Sequence, residues 1–505
     1  MSHYCYRQWI KVCLRSLAIV FSLPVVSQTK IAVLSDIHVM NPELVVNDGT
    51  AWQNALGGER KLLDYSAEIY DVLVEKFLTD KPDMLFITGD LTKDGELASH
   101  QYVLAGLEKL REAGIKTYVI PGNHDRGTSN AYYFDGENKT KAEVADDAAF
   151  QQMYANYGYD AAFARESTTL SYACEPVEGM VLIGIDSGNA GTLSETTLGW
   201  VCNQARNARR RGKQVVAMMH HPLFSHVTNM EKMMGTYRVN DFENVRDRLI
   251  DAGIHVILTG HVHFSDIAKD FNTALNDSVY DINTGSTISY PCDYRELTLS
   301  SDLSRLTVNT GHVSTLPSDA DFSNTAKNRL KTFIQKYGSS MFGNNELFLN
   351  ILTNMILIHA EGNENKSIDA KSLINLYKLG APILKNNASI TAKLTARGMT
   401  WDDAEATLNS MLKDISNYGV TGHENQTNDL QLTIYMPPVS AEEWLRGDVD
   451  KNGVVNISDV IMLVRILFDE NVSYVMDTAD LDGNGLVNVT DVTCLINILL
   501  EYSSD

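Results

Sequence analysis

The chain has 505 residues, of which 44% are hydrophobic and 21% are charged, with 33 glycines and 11 prolines. This composition is that of an ordinary globular protein, and it excludes collagen, wholesale disorder and a disulfide-dense scaffold. The length allows about three domains. The formal charge of −22 repels the phosphate backbone of nucleic acids, so a nucleic-acid polymer is disfavoured as a ligand.

The first 27 residues have the pattern of a cleavable export signal. Three basic residues precede the apolar run Leu17–Val26, and Val25 and Ser27 occupy the third and first positions before a cleavage point at Gln28. The run is too short to cross a bilayer, and no later stretch reaches the roughly 18 apolar residues of a membrane helix. We therefore predict a signal peptide at 1–27 and an exported protein, periplasmic, at the cell surface or extracellular, with no transmembrane segment.

Short apolar runs alternate with amphipathic helical patterns between about residues 30 and 313. Such runs are typical of strands that are covered on both faces; they are 31–34, 84–88, 117–120, 181–185, 215–219 and 256–259. One helical face carries Val103, Leu107 and Leu110. The alternation predicts an α/β layered sheet, and the segment 280–313 alternates as hairpin strands do.

The pattern changes after Pro317. Residues from about 319 to 418 have helical spacing and carry no chemical motif, and a second break falls at Pro437 and Pro438, before a duplicated unit. We predict four regions: a signal peptide at 1–27, an α/β domain at 28–317, a helical accessory region at 318–437 and a C-terminal repeat module at 438–505.

Polar side chains follow five of the six apolar runs. Because ligands bind outside the carboxyl ends of strands in such sheets, these side chains should converge. Imidazole nitrogens and carboxylate oxygens suit Zn, Fe or Mn, and a metal pair activates water and polarises a phosphoryl group. Gly89, Gly122 and Gly260 would let the backbone turn sharply beside the ions. The polar residues are Asp36, His38, Asp90, Asn123, His124, Asp125, His220, His221, His261 and His263.

The ordered motifs Asp-x-His, Gly-Asp, Gly-Asn-His-Asp, His-His-Pro and Gly-His-x-His resemble the calcineurin-like metallophosphoesterase family over roughly residues 30–313. The resemblance implies a two-sheet α/β sandwich flanked by helices, with two divalent or trivalent transition metal ions bridged by Asp90. It implies that the first metal is held by Asp36, His38, Asp90 and His263. It implies that the second metal is held by Asp90, Asn123, His220 and His261.

The same resemblance assigns two catalytic residues. His124 would bind the phosphate and stabilise or protonate the leaving oxygen, and Asp125 would support it. His221 is interpreted as a structural neighbour of the metal-binding histidine before it, although it could reach the pocket. Lys93 stands where purple acid phosphatases carry a tyrosine, so no tyrosinate-coloured iron is expected. The stretch 89–95 is more similar to the branch with cyclic-nucleotide and glycerophospho-diesterases.

The C-terminal module repeats a calcium-loop pattern after 32 residues. Oxygen-bearing side chains at alternating positions with a central glycine are what calcium requires. The aspartate at position twelve and the missing entering helix resemble the type I dockerin module, which implies Ca²⁺ and a cohesin-like protein partner. Calcium-stabilised packing without a partner is the alternative. The predicted ligands are Asp448, Asp450, Asn452, Asn456, Asp459, Asp480, Asp482, Asn484, Asn488 and Asp491.

Two functions fit these patterns. The first is an exported dinuclear-metal-dependent hydrolase of small phosphomonoesters or phosphodiesters that carries a calcium-binding docking module. The second is a non-catalytic binding or assembly protein in which the dockerin-like module is the working part. No predicted metal ligand is missing from the sequence, and this favours the enzyme.

Overall fold

The computed structural model describes residues 28–235, 237–343, 345–362, 368–413, 424–425, 429–439, 446–451, 454–469, 472, 474, 476–483 and 485–502. The predicted signal peptide at 1–27 lies outside these residues, as do Asn452 and Asn484 of the predicted calcium loops. Among the described helices, none has both the length and the apolar character needed to cross a bilayer.

Seventeen strands form three sheets in the described part of the chain. In chain order they are β1 (Thr29–Leu34), β2 (Val45–Asn47), β3 (Met84–Ile87), β4 (Lys116–Val119), β5 (Tyr132–Asp135), β6 (Asn138–Lys141), β7 (Ala162–Arg165), β8 (Tyr172–Val177), β9 (Met180–Ile185), β10 (Gln214–Met219), β11 (Val256–Thr259), β12 (Asp266–Asn272), β13 (Asp277–Asn283), β14 (Asp293–Leu299), β15 (Arg305–His312), β16 (Glu424–Asn425) and β17 (Gln431–Tyr435).

The α-helices flank the sheets and form most of the segment after β15. In chain order they are α1 (Thr50–Leu56), α2 (Ser66–Asp80), α3 (Leu97–Glu112), α4 (Asp147–Met153), α5 (Glu195–Arg210), α6 (Met230–Met234), α7 (Phe242–Asp251), α8 (Phe322–Phe342), α9 (Glu346–Ala360), α10 (Ile368–Lys385), α11 (Ala388–Thr395), α12 (Trp401–Lys413), α13 (Ile457–Phe468), α14 (Met476–Ala479) and α15 (Val489–Tyr502).

Two large sheets form the body of the protein. The first has the strand order β17-β15-β14-β1-β3-β4, and the second has the order β16-β12-β13-β11-β10-β9-β8-β7. Their centres are parallel: β1 pairs with β3 and β3 with β4 in the first sheet, and β9, β10, β11 and β13 run parallel in the second. The carboxyl ends of parallel neighbours meet at one edge, so the loops that follow these strands are brought together.

The second sheet is buried on both faces, because side chains alternate across a strand. Val216 and Met218 of β10 belong to the core shared with the first sheet. Val215 and Ala217 of the same strand face the other way and pack in a cluster with α5 and α7. Burial on both faces explains why the strand sequences are continuously apolar.

The predicted α/β sandwich is confirmed, and the six apolar runs form β1, β3, β4, β9, β10 and β11. The segment 280–313 contains hairpin strands as predicted: β14 pairs antiparallel with β15, and β13 pairs antiparallel with the preceding β12 and in parallel with β11. The small sheet β2-β5-β6 was not predicted. All four residues of β6 are exposed, so no apolar alternation marks that strand.

Helices α8–α12 form the predicted helical region, but this segment does not stand apart from the sandwich. Its last part supplies β17 to the edge of the first sheet, paired with β15, and β16 to the edge of the second, paired with β12. The boundary at residue 317 stays a prediction. Both large sheets are completed by strands that lie more than a hundred residues beyond it.

A buried ion triad supports the second sheet beneath the site. His226 Nδ1 lies 3.2 Å from Asp266 Oδ1, and its Nε2 lies 3.2 Å from Asp281 Oδ2. Burial alone would lower the pKa of His226, but the two carboxylates outweigh it and raise the pKa to about 10. Since the folded-state pKa is raised, the imidazolium stabilises the fold fully below about pH 6.5, and this contribution is lost as the pH rises towards 10.

We expect His226→Gln to lower the free energy of unfolding by about 3–5 kcal/mol near pH 6, because two buried carboxylates lose their partner. The variant should also lose the decline in stability that the wild type shows between about pH 7 and 10. Urea unfolding at a series of pH values measures both effects. A variant whose stability falls with pH as steeply as that of the wild type would contradict this assignment.

Candidate metal centre

Five loops, which follow β1, β3, β4, β10 and β11, meet at one end of the two large sheets. Backbone hydrogen bonds tie them in pairs: the Asp36 amide donates to the Gly89 carbonyl at 3.0 Å, and the Gly260 amide donates to the His220 carbonyl at 2.9 Å. The predicted metal ligands therefore lie together in the structure. The side chains of all seven form two adjoining groups.

The first group contains Asp36, His38 and His263, all of them buried. Asp36 Oδ1 lies 3.3 Å from His263 Nε2, and the two imidazole Nε2 atoms lie 3.2 Å apart. His38 Nδ1 lies 3.3 Å from the Thr92 carbonyl, which fixes the proton on Nδ1 and leaves the Nε2 lone pair for the group. Asp36 Oδ1 is buried without a hydrogen-bond donor among the described residues. A cation would satisfy that oxygen.

The second group is built around His220. Its Nε2 lies 3.0 Å from Asn123 Oδ1, 3.2 Å from His261 Nδ1 and 3.3 Å from Asp90 Oδ2. The His220 Nδ1 lies 2.9 Å from the Thr88 carbonyl, so the ring again turns its Nε2 lone pair inwards. Two imidazoles, a carboxylate and an amide oxygen suit a transition metal of intermediate softness.

Asp90 lies between the two groups. Its Oδ2 is 3.5 Å from His38 Nε2 and 3.3 Å from His220 Nε2. Its Oδ1 accepts a hydrogen bond from the His124 amide at 2.7 Å. Burial would raise the pKa of this carboxyl, but the surrounding imidazoles, His220 first, hold the pKa well below its usual range. The carboxylate is therefore charged, and its position is that of a group that two ions can share.

The backbone at the site is held in conformations that side chains seldom adopt. Five of the candidate ligands have φ between 39° and 73°, in or near the left-handed region: Asp36, His38, Asp90, His261 and His263. Each such residue costs on the order of 1–3 kcal/mol, and the conformation persists only where the surrounding structure fixes it. Local strain is concentrated where the polar side chains converge.

The predicted role of the glycines is only partly correct. Gly89 does make a sharp turn, with φ of 97°. Gly122 and Gly260 matter instead for close approach: a Cβ on Gly122 would lie 2.2 Å from Asp90 Oδ1, and one on Gly260 would lie 1.8 Å from Ser35 Oγ. A larger residue at either position would displace the carboxylates of the groups.

The protonation of the histidines fits metal binding. Burial lowers the pKa of His38 well below its ordinary value and lowers the pKa of His263 to about 4. Burial would also lower the pKa of His220, but Asp90 outweighs it and raises the pKa to about 9. His38 and His263 are therefore neutral ligands near pH 7, and at His220 a metal would replace a proton.

His124 stands beside the two groups with its ring fixed from one side. Its Nδ1 lies 2.9 Å from Asp94 Oδ1 and 2.8 Å from the Lys93 carbonyl, so Nε2 is the nitrogen left for a substrate. Burial opposes the charged imidazole, but Asp90 and Asp94 raise the pKa of His124. Asp94 was not predicted as a site residue, although it follows Asp90 by only four residues.

Asp125, predicted to support His124, lies where the loops after β3 and β4 meet. It is fully buried, and its Oδ1 accepts from the amide and the hydroxyl of Thr92, both at 3.0 Å. Its Oδ2 accepts from the Gly122 amide at 2.8 Å. With both oxygens bonded inside the protein, Asp125 braces the loops after β3 and β4 and positions its neighbour His124.

His221 is buried, in agreement with its interpretation as a structural neighbour. Its Nδ1 lies 2.8 Å from Ser187 Oγ, and its ring centroid lies 4.4 Å from that of His261. Lys93, at the position of the tyrosine in purple acid phosphatases, forms an ion pair with Asp94. Neither residue belongs to the two groups of candidate ligand atoms found among the described residues.

The helical region packs against the loops of the site. Val262, which stands between His261 and His263, belongs to an apolar cluster with residues of α9, α10 and α12. In the same contact the Thr407 hydroxyl donates to the Thr228 carbonyl at 2.9 Å. The helices therefore support the loop that carries two candidate ligands, which gives this segment a structural reason to be present.

The two predicted calcium loops each bring three carboxylates together: Asp448, Asp450 and Asp459 in the first, and Asp480, Asp482 and Asp491 in the second. The predicted ligands Asn456 and Asn488 have another use. Asn456 Oδ1 accepts from the Ser458 amide and caps α13, and Asn488 Oδ1 accepts from the Thr490 amide, both at 2.8 Å. These two asparagines thus organise the helix starts that follow each loop.

Comparison with known families agrees with this geometry. Residues 29–265 match the family model of calcineurin-like phosphoesterases. They form a calcineurin-like phosphoesterase domain. Residues 446–500 match the model of the dockerin type I domain, so the second predicted resemblance is also confirmed. The phosphoesterase family implies a dinuclear metal site, and the dockerin family implies calcium.

Two curated relatives match part of the chain. A probable glycerophosphodiester phosphodiesterase of Arcobacter nitrofigilis is 28% identical over 196 residues, which cover 37% of this chain and 58% of the relative. A probable cyclic nucleotide phosphodiesterase of Synechococcus is 24% identical over 200 residues, which cover 39% of this chain and 64% of the relative. The chain thus spans about three fifths of the length of each relative.

Two solved structures match the chain at lower identity. A dimetal phosphatase of Danio rerio is 12% identical, with a TM-score of 0.40, and the match covers 56% of this chain and 96% of that one. A purple acid phosphatase of yellow lupin, Lupinus luteus, is 13% identical, with a TM-score of 0.41, and the match covers 58% of this chain and 52% of that one.

Proposed function

We propose that the chain is an exported, dinuclear-metal-dependent hydrolase of small phosphate esters that carries a calcium-binding docking module. The observation that supports the enzyme is the complete ligand set, with Asp90 Oδ2 within 3.5 Å of one group and 3.3 Å of the other. The names of the two relatives come from the diesterase branch that the stretch 89–95 resembles.

In this proposal Asp36, His38, Asp90 and His263 hold one metal, and Asp90, Asn123, His220 and His261 hold the other. When bound, such a pair acts as a Lewis acid on the phosphoryl group and supplies a nucleophile near neutral pH. His124 donates from Nε2 to the phosphoryl or leaving-group oxygen. Asp94 stabilises the protonated form of that imidazole.

The basic test is hydrolysis of 4-nitrophenyl phosphate and bis(4-nitrophenyl) phosphate by purified protein loaded with Mn, Zn or Fe. We expect turnover with at least one metal and its loss after chelation. Absence of turnover with every metal and both esters would refute the proposed enzyme. Metal analysis of the protein as isolated would identify the ions.

The variant His124→Gln tests proton donation by His124 without removing a candidate metal ligand. We expect kcat for a phenyl phosphate ester to fall by about 10²–10⁴-fold, because a poor leaving group needs a proton. The loss should be smaller for the 4-nitrophenyl ester, since that alcohol leaves as a stable anion. Steady-state kinetics on both esters is the measurement.

His255→Gln is the matched control for this variant. His255 precedes β11 and thus lies at the opposite end of the strand from the candidate ligand His261. The His255→Gln variant should retain wild-type kinetics on both esters. Equal losses on the phenyl and 4-nitrophenyl esters in the His124 variant would exclude proton donation and leave only phosphate binding.

The C-terminal module is proposed to dock on a cohesin-like partner outside the cytoplasm. Its helices α13 and α15 expose large apolar side chains, among them Phe468 at 87%, Ile461 at 59% and Leu500 at 61% of their surface. An exposed apolar surface of this kind is typical of a protein interface. Calcium-dependent retention of the whole chain on an immobilised cohesin would support docking, and retention in chelator would contradict it.

A further inference from the structure

Two adjacent cations, Arg60 and Lys61, lie beside the metal groups on the segment between α1 and α2. The segment is held in place by its neighbours: the Leu62 amide donates to the Ile288 carbonyl at 2.7 Å, and the Leu62 side chain is fully buried. Ser289, the next residue after Ile288, has its Oγ 3.2 Å from His263 Nδ1. The cations are thus carried by a fixed segment that borders the first group.

Arg60 is docked on the loop that carries two candidate ligands. Its Nη2 donates to the Val262 carbonyl at 3.3 Å, and its Cζ lies 5.2 Å from the centroid of the Phe264 ring. Val262 and Phe264 flank His263 in the chain. The guanidinium carries five donors, so this contact fixes its position and leaves donors for a ligand.

Lys61 is half-buried and stands between Arg60 and the anchored Leu62, so it lies on the same fixed segment. This segment therefore carries two adjacent positive charges along the border of the first group.

Burial lowers the pKa of Arg60, and the carboxylates of Asp36 and Glu59 oppose that shift. Asp36 is itself a candidate ligand of the first group, so a bound metal would compete with Arg60 for its charge. The positive charges of Arg60 and Lys61 would then repel each other and the ions. They are stabilised when an anion of more than one negative charge binds between them and the metals.

We propose that Arg60 and Lys61 form an anion-recognition rim that selects phosphate esters with a second negative charge. That charge is either on the phosphoryl group itself, as in a monoester, or on a phosphate or carboxylate of the alcohol arm. This inference rests on the proposed hydrolase and names the substrate class of its site.

Three 4-nitrophenyl esters test the rim: the dianionic monoester, the monoanionic methyl diester, and a diester whose second arm ends in a carboxylate. Lys61→Gln and Arg60→Gln should lower kcat/KM by about 10- to 100-fold for a doubly charged ester and by less than about threefold for the methyl diester. If kcat/KM of the variants falls for the monoester, the rim recognises a second charge on the phosphoryl group. If it falls for the diester with a carboxylate, the rim recognises a charge on the alcohol arm. Lys76→Gln, on α2 and paired with Asp80, is the control and should leave all three unchanged.

Binding of inorganic phosphate to the metal-loaded protein gives a readout that does not need turnover. Titration calorimetry should show affinity about tenfold weaker in Lys61→Gln and Arg60→Gln, with metal content and thermal unfolding as in the wild type. If the wild type hydrolyses none of the esters, the proposed enzyme fails, and the calorimetry still decides on the rim. Unchanged phosphate affinity, or equal loss on all three esters, would overturn the inference.

Discussion

Replacing Asp90 with asparagine should reduce the bound transition metal from two ions per chain to one or none and lower kcat by at least about 10³-fold, equivalent to about 4 kcal/mol in the activation free energy. The reason lies in its position: its Oδ2 approaches His38 in one group and His220 in the other. Asparagine keeps the size of the side chain but removes the charge that two cations would share.

Metal analysis of the dialysed protein and steady-state kinetics are the measurements for this prediction. Asp270→Asn is the matched control, because Asp270 is equally buried but pairs with Arg246 at 2.6 Å on the second sheet. We expect the control to keep both metals while losing some stability. An Asp90→Asn protein with two metals and near wild-type kcat would show that the two groups do not share this carboxylate.

The motifs could be read from the sequence because strand ends fix where the residues go. Asp36, Asp90 and His261 each follow a short apolar run, and the carboxyl ends of parallel strands meet at one edge. The convergence of these residues could be predicted without knowing the order of the strands in the sheets. The same argument does not reach β13 or β17, whose partners are chosen by long-range packing that no local pattern records.

Residues that act on the site from outside the motifs were not predicted. Asp94 is an ordinary acidic residue until the backbone turn after Gly89 places it 2.9 Å from His124 Nδ1. Arg60 and Lys61 lie in a segment without periodicity, and tertiary contacts with Ile288 and Val262 bring this segment to the site. Asp125 was expected to support His124 because the two are adjacent in the chain, but its partners Thr92 and Gly122 are set by the approach of two loops and had no local signal.

The C-terminal module should depend on calcium for its fold. In each loop three carboxylates offer oxygens that lie within 4.8 Å of one another, and a bound cation would relieve their mutual repulsion. Asp459 and Asp491 are fully buried and also hold the loop backbone: Asp459 Oδ1 accepts from the Asp450 amide at 2.9 Å, and Asp491 Oδ1 accepts from the Leu481 amide at 2.6 Å. Ion binding and folding are therefore coupled.

The core of the module is shared by both halves, which makes the loss of one loop costly for the other. Val449 of the first loop, Leu481 of the second, and Leu463 and Leu495 of the two following helices belong to one small cluster. Such a core is too small to hold the helices without its ions. We expect chelation to unfold the module at 25 °C while the phosphoesterase domain stays folded.

Asp491→Ala in the whole chain should therefore abolish calcium binding at both loops and not only at its own. Calorimetric titration should show two ions per chain in the wild type and none at micromolar calcium in the variant, and an immobilised cohesin should no longer retain it. Asp469→Ala, at the end of α13 and outside both loops, is the control and should bind two ions. Retention of one tightly bound ion by the Asp491 variant would mean that the two loops fold independently, despite their common core.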